Sequence, residues 1–324
     1  MLLVALIVFG SLFLIFGLVA VKDIITIKKH HRRFNFKTSI AAYGMLLPAV
    51  ILGFFFIMLP IVYSLAYAFT DYYLLKPNEI SFVGFENFIK VINEVKDKSD
   101  LYHAILNTLT FVVIVTPLQI GLALGMSLFV NRKKPAIGIF KVSFFAPVVI
   151  SLTITSFLWK QILWGSETGM INAFLKMFGV APIDHLGQAK TAMVWIAILS
   201  AWQGCGYQML IFLSGLSNIR KELYEAASLD GAGVFRQFLS VTVPGLRSTF
   251  LFIVVTVFIG ACRVMIQPMI MTGYQTHTVT LSYYMYQQGV MYRKVGYSSA
   301  VALIMTIIIG SITFIQRRLL REKD

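Results

Sequence analysis

The stretch AILNTLTFVVIVTPLQIGLALGMSLFV, residues 104–130, carries no charged side chain from end to end. At about 1.5 Å per helical residue it outreaches the roughly 30 Å hydrocarbon core of a bilayer. Lipid offers no water to backbone amides, so a run this long satisfies itself as a helix. Comparable runs recur at about 2–21, 39–66, 138–163, 190–213, 248–271 and 297–316. The pattern is that of an all-α membrane protein with about seven transmembrane helices.

Composition agrees. Hydrophobic residues make up 58% of the 324 and charged residues only 13%, against about 25% charged in soluble domains. Mean hydropathy is +0.79. A soluble fold of this length could not bury so much apolar surface, so lipid covers part of it.

A net charge of +14 suits either nucleic acid or a membrane with a basic cytoplasmic side. Distribution separates the two. Of the 28 Lys and Arg, 18 fall in every second inter-span segment, as in Lys22–Lys37, Arg132–Lys141, Arg220–Arg247 and Arg317–Lys323. Asp71, Glu79, Glu86, Glu94, Asp97 and Asp100 share one loop on the opposite side. The bias orients a multi-pass protein in its membrane, and no nucleic acid is needed to explain it. No Lys or Arg precedes the run at 2–21, which reads as a retained span with the N-terminus outside. The basic segment 22–37 and the C-terminus are then cytoplasmic.

Five prolines, Pro48, Pro60, Pro117, Pro147 and Pro268, punctuate the spans. Each fits an ordinary kink; Pro268 also fits a broken helix beside a solute path. Cys205 and Cys262 both sit in apolar spans and form no disulfide or metal-ligand pattern. The five histidines, His30, His31, His103, His185 and His277, are read as scattered in loops, and no metal site is expected.

Three inter-span segments are too long for turns. Residues 67–103 and 164–189 are external and include amphipathic pieces such as Phe85–Ile92. The third, 214–247, is cytoplasmic and reads Ser217-Asn-Ile-Arg-Lys-Glu-Leu-Tyr-Glu-Ala-Ala-Ser-Leu-Asp-Gly231. Ser217 or Asn218 is expected to start a helix by accepting from its free amides. Gly231 is expected to end it with positive φ. Ile219, Leu223, Ala226 and Ala227 make a narrow stripe at helical spacing. Such a helix could lie on the bilayer with Arg220 and Lys221 near phosphates. Its small side chains suit docking into another protein's groove better.

Glu225-Ala-Ala-x-x-x-Gly231, then nine residues, then Val241-x-Val243-Pro244, resembles the EAA loop of permeases in binding-protein-dependent ABC importers. The resemblance covers about residues 40–318 and narrows to the carbohydrate-uptake branch, near the maltose and glycerol-phosphate permeases. Its marks include Leu47-Pro48, Phe82-Val-Gly-Phe-Glu-Asn-Phe88, Asn107-Thr-Leu-Thr-Phe111, Phe145-Ala-Pro-Val-Val-Ile-Ser151, Gly169-Met-Ile-Asn172, Thr278-Val-Thr-Leu281 and Gly296-Tyr297. It implies a coupling helix seated in an ATPase subunit. Glu225 would face a basic group there, Ala226 and Ala227 would allow close contact, Asp230 would close the helix, and Gly231 would permit the turn. Residues 1–37 become an N-terminal accessory helix with a basic cytoplasmic segment, and 38–324 the permease domain with its coupling loop at 214–247.

The resemblance also suggests the solute path. Trp202-Gln-Gly-Cys-Gly-Tyr207 falls on the family's pattern at Trp202, Gly204 and Tyr207, where an aromatic wall with polar edges suits a sugar. Gly204 and Gly206 equally suit close helix packing. The next span departs: where the family often carries Phe-Asp and later Thr-Gly-Gly-Gly-Pro, this chain has Gly260-Ala-Cys-Arg-Val-Met265 and Thr272-Gly-Tyr-Gln. No solute contact is carried across it by resemblance. Arg263, deep in an apolar span, costs a few kcal/mol unless it faces water or a partner. With Gln267 one turn on, it is a candidate for a hydroxyl-rich or anionic part of the solute. A bond to carbonyls of a broken helix, or snorkelling, would also account for it.

No Gly-x-x-x-x-Gly-Lys-Ser/Thr occurs, so the chain lacks a phosphate loop. It is expected to be a translocation subunit and no enzyme, binding no cofactor itself, with ATP and Mg on a partner ATPase. The expected partners are a second permease, two ATPase subunits, an extracytoplasmic solute-binding protein docked on the 67–103 and 164–189 side, and the bilayer. The function implied is ATP-driven import of a sugar, oligosaccharide or sugar-derived solute. The alternative is an ion-coupled secondary transporter. Proton coupling wants Asp, Glu or His inside a span, and the spans carry none away from their ends. Sodium coupling through carbonyls remains compatible.

Overall fold

The computed structural model describes residues 36–131 and 137–320. The expected span at 2–21, most of the basic segment 22–37 and the cations Arg132–Lys134 lie outside the described residues. The chain divides into two compact units, 1–67 and 68–324.

In the first unit, α1 (Phe36–Gly53) passes through a π-helical turn, Phe54–Met58, into α2 (Leu59–Tyr67). Pro60 has no amide to continue the ladder, and the wider turn just before it absorbs the missing bond. Gly44–Tyr67 is long and apolar enough to cross a membrane.

The second unit runs through α3 (Glu86–Lys96), α4 (Asp100–Val130), α5 (Ile137–Val149), α6 (Leu152–Ile162), α7 (Met170–Lys176) and α8 (Ala189–Ser217). Then come α9 (Lys221–Leu229), α10 (Val234–Gln237), α11 (Arg247–Cys262), α12 (Ile266–Met271), α13 (Leu281–Tyr286) and α14 (Val295–Leu320). Extended pairing among the described residues is limited to two isolated bridges, Thr70 with Phe82 and Tyr73 with Lys294. Five helical stretches, or six counting the bent pair α5–α6, could cross a membrane. The seventh expected span is the one at 2–21.

Helices α4 and α8 pack along their lengths and form the hub, with α11 against both, α5 against α8, and α14 against α11. Small buried residues on α8, Ala192, Ala197 and Ala201, let neighbouring backbones approach. Around them Phe111, Val115, Met193, Ile196, Leu199 and Phe258 fill one apolar core. Apolar side chains also point outward, among them Val113, Ile139, Val142, Ile307 and Phe314. An exposed apolar belt of this kind is stable only in lipid. Hydroxyls within the helices donate back one turn, as Thr108 does to Ala104 O at 2.7 Å and Ser200 to Ile196 O at 2.8 Å.

Two of the expected continuous spans are interrupted. The run 138–163 is two helices bent by 96° at Ile150-Ser151. Pro147 lacks the amide that would bond the Ser143 carbonyl near the end of α5, and the Ile150 carbonyl, freed where the helix ends, accepts from Gln203 Nε2 at 2.9 Å. The run 248–271 breaks over Arg263–Met265 between α11 and α12. Pro268 falls in the first turn of α12, where its missing amide costs nothing. The two short segments created by these breaks, α6 and α12, pack on each other. Among the histidines, His103 lies in the first turn of α4 instead of a loop, while His185 is in a loop but buried against Trp195.

Candidate functional site: an exposed helix and a cavity among the spans

The helix expected at Glu225 is α9, but it starts later than the polar residues suggested. Ser217 is the last residue of α8, its hydroxyl donating to Ser214 O at 2.7 Å, and Asn218 is the α8 C-cap. The spanning helix runs on past the apolar stretch and takes both. Arg220, with extended backbone, precedes Lys221 as the true N-cap, and Glu222 in the first turn meets the positive end of the helix dipole.

The C-terminus is closed as the glycine predicted. Gly231 has φ +74°. Its amide donates to Ser228 O at 3.0 Å, and the Ala232 amide reaches back to Ala227 O at 2.9 Å. That pair of bonds satisfies the last carbonyls of α9 and needs a left-handed residue at the turn. Gln237 Nε2 then ties α10 to α9 through Ser228 Oγ and Ala232 O, both at 2.9 Å. Tyr224 OH meets Thr242 Oγ1 at 2.9 Å. The loop is therefore a built hairpin.

None of the residues of α9 is buried. Glu225, Ala226, Asp230 and Gly231 are exposed and Ala227 half-buried. Leu229 is 90% exposed, Val234 86% and Phe235 74%, so the hairpin presents a contiguous apolar tip to its surroundings. Among the described residues Glu225 makes no ion pair.

The second site is a cavity of about 610 Å³ walled by α4, α6, α8, α11, α12, α13 and the α11–α12 break. Its polar lining is Gln119, Ser200, Gln208, Thr256, Arg263, Gln267 and Ser282. Gln267 Nε2 donates to Ser200 Oγ at 3.2 Å. Gln208 is 8% exposed, and its Oε1 has no hydrogen-bond partner among the described residues. A buried acceptor left open in a cavity wall wants a donor.

Of the five residues expected on a solute path, Arg263 and Gln267 line this cavity. Gly204 lies between Ser200 and Gln208, one helical turn from each, and a Cβ there would meet Gln119 Nε2 at 2.3 Å. Trp202 packs on Trp159 with ring centroids 5.8 Å apart, outside the lining. Tyr207, 53% exposed, lines a separate groove with Ser214, Gly215 and Phe252. Sequence reasoning missed Gln119, Ser200, Gln208 and Ser282. Polar residues facing inward from apolar spans were the available signal. Gln203, inside the Trp202–Tyr207 motif, closes the α5–α6 bend instead of facing the cavity.

No family model matches the chain. It is 30% identical over 285 residues to the arabinooligosaccharides transport system permease protein AraP of Bacillus subtilis strain 168, covering 86% of this chain and 88% of that protein. It is 29% identical to the lactose transport system permease protein LacF of Rhizobium radiobacter, covering 85% and 92%. Among solved structures, a bacterial ABC transporter involved in import of the acidic polysaccharide alginate matches with TM-score 0.74 and 22% identity, over 88% of this chain and 96% of that one.

Proposed function

The chain belongs to the permease family of carbohydrate-uptake ABC importers, and from that premise we propose that it couples ATPase closure to alternating access for a sugar, oligosaccharide or sugar-derived solute. The observation that carries the coupling is α9: a helix with no buried residue, held rigidly at both ends, ending in an exposed apolar tip. Glu225, Ala226, Ala227, Asp230 and Gly231 form the contact with an ATPase subunit. Glu225 meets a cation there and the alanines let the helix seat deeply. Gly231 and Gln237 keep the hairpin stiff enough to pass force to α8 and α11, the spans flanking it.

In this reading the chain is a translocation subunit and binds no cofactor; ATP and Mg sit on the partner. It pairs with a second permease, two ATPase subunits and an extracytoplasmic binding protein that docks on the side of 67–103 and 164–189. Its N-terminus is outside and its C-terminus cytoplasmic. Residues 1–37 are an accessory helix with a basic tail, and 38–324 the permease domain. Arg263 and Gln267 contact solute in the cavity, and Trp202, Gly204 and Tyr207 continue the path toward the second permease. Relatives named for arabino-oligosaccharide and lactose transport support a sugar, as do the amides and hydroxyls of the wall, which match the donors and acceptors of a glycan edge.

The test is a cysteine at Ala226 combined with uptake. Ala226→Cys should crosslink to the ATPase subunit in isolated membranes. Glu225→Arg should lower ATP-driven uptake at least about tenfold, since a like-charge contact at a close interface costs about 1.4 kcal/mol or more. Crosslinks only to lipid or to the chain's own spans, with uptake intact in Glu225→Arg, would remove the coupling role.

A further inference from the structure

We infer that the solute carried through this cavity is anionic, and that Arg263 reads its carboxylate or other oxyanion; this rests on the cavity being the solute site proposed above. Arg263 is the one charged side chain in the lining, and its side chain is exposed there rather than packed away. Among the described residues no carboxylate lies within ion-pair distance of it.

A guanidinium in the middle of an apolar span can have a structural job, which here would be to bond the carbonyls that the α11–α12 break sets free. The Cys262 and Val264 carbonyls on either side of it already have donors. Thr280 Oγ1 donates to Val264 O at 2.6 Å, and Ser282 Oγ reaches Cys262 O at 3.4 Å. The Arg263 and Val264 amides close on Gly260 O and Ala261 O at 3.1 and 3.2 Å, and the Met269 amide closes on Met265 O at 3.1 Å. Two hydroxyls from the segment before and within α13 thus cap the break, and the arginine is left over. The other polar residues of the lining are all neutral amides and hydroxyls: Gln119, Ser200, Gln208, Thr256, Gln267 and Ser282.

Five N–H donors and no acceptor make the guanidinium a poor partner for a neutral hydroxyl cluster and a good one for a planar oxyanion, which it binds with two parallel bonds. A permanent charge inside a membrane protein is costly. An anionic group entering with the solute would offset that cost at each loading. The neutral amides around it would orient the rest of the glycan without competing for the anion.

The experiment uses the purified importer complex in nanodiscs, without its solute-binding protein, so that selection by the permease alone is read. Equilibrium binding is measured for tritiated trigalacturonate and for its fully methyl-esterified, neutral counterpart. The wild type should prefer the acid by about tenfold or more, the gap expected for one charge-assisted bond pair. Arg263→Gln should erase the preference, the acid then binding no better than the ester, and Arg263→Lys should restore part of it. Equal binding of both probes by the wild type, or a preference that survives Arg263→Gln, would overturn the inference while leaving sugar import standing. Loss of both probes together in Arg263→Gln, with an unchanged melting temperature, would show that Arg263 acts on the solute independently of its charge and also overturn it. If neither probe binds the wild type at millimolar concentration, the cavity is not the solute site and the reading beneath the inference fails first.

Discussion

Gly204 and Gly206 sit two residues apart on α8 and meet different kinds of neighbour. A Cβ at Gly204 would strike the Gln119 side-chain amide at 2.3 Å, whereas one at Gly206 would strike the Phe144 carbonyl oxygen at 2.4 Å. The first obstacle can rotate away; the second is backbone and moves only if α5 moves. Gly206→Ala should therefore cost about 1–3 kcal/mol, an overpacking penalty, and lower the melting temperature of the purified complex. Gly204→Ala should melt close to wild type. If the two variants melt alike, the α5–α8 contact is looser than its geometry implies. Arg263 belongs to the same scale, the one charged side chain in the cavity lining.

At the scale of elements, the membrane unit is organised by two broken spans. Each break frees backbone carbonyls from the helical ladder, and each is repaired from a distant segment. Gln203 of α8 bonds Ile150 O, and Thr280 and Ser282 bond the α11–α12 break. Leaving a buried carbonyl unpaired costs about 1–3 kcal/mol. Thr280→Val, close to isosteric, should lower stability by that amount, and Ser282→Ala by less because its bond is longer. Thermal unfolding of the complex checks both. Should Thr280→Val melt like the wild type, the Val264 carbonyl has found another donor. The segments 67–103 and 164–189 are built in the same manner: Asn172 bonds the carbonyls of Trp164, Ser166 and Ile183, and Asp71 accepts from the amide and hydroxyl of Ser81. Those Ser81 bonds hold the Asp71 carboxyl below its ordinary range.

At the scale of the whole molecule, charge asymmetry and the exposed α9–α10 hairpin make a claim about sidedness that labelling can check. Cys205 and Cys262 are buried, so introduced cysteines report with little background. In intact cells an impermeant maleimide should label Lys98→Cys, on the external segment, and leave Leu229→Cys untouched until the membrane is opened. Reversed labelling would invert the orientation and place the hairpin outside, where no ATPase could meet it.

Much of this was legible along the chain. Spans announce themselves because transfer into lipid is summed over about twenty residues, and α4 and α8 appear within a few residues of their expected limits. Gly231 marked the end of α9 because positive φ is a property of one residue. The start of α9 was misplaced to Ser217 or Asn218, since capping preference is shared by any helix end and α8 had the prior claim. The bend at Ile150-Ser151 was not legible as a break, and the break at Arg263–Met265 was legible only as one option raised by Pro268. Their stability comes from Gln203, Thr280 and Ser282, which approach only after the helices pack. For the same reason Arg263 could be flagged from sequence as expensive, yet only the tertiary structure decided that its neighbours are neutral and that the carbonyls beside it are already bonded. Hydropathy and single-residue conformational preference are local and additive, so the sequence alone determines the spans and the hairpin turn. Which carbonyl finds which hydroxyl, and which charge is left without a partner, depends on contacts between distant segments and is decided in three dimensions.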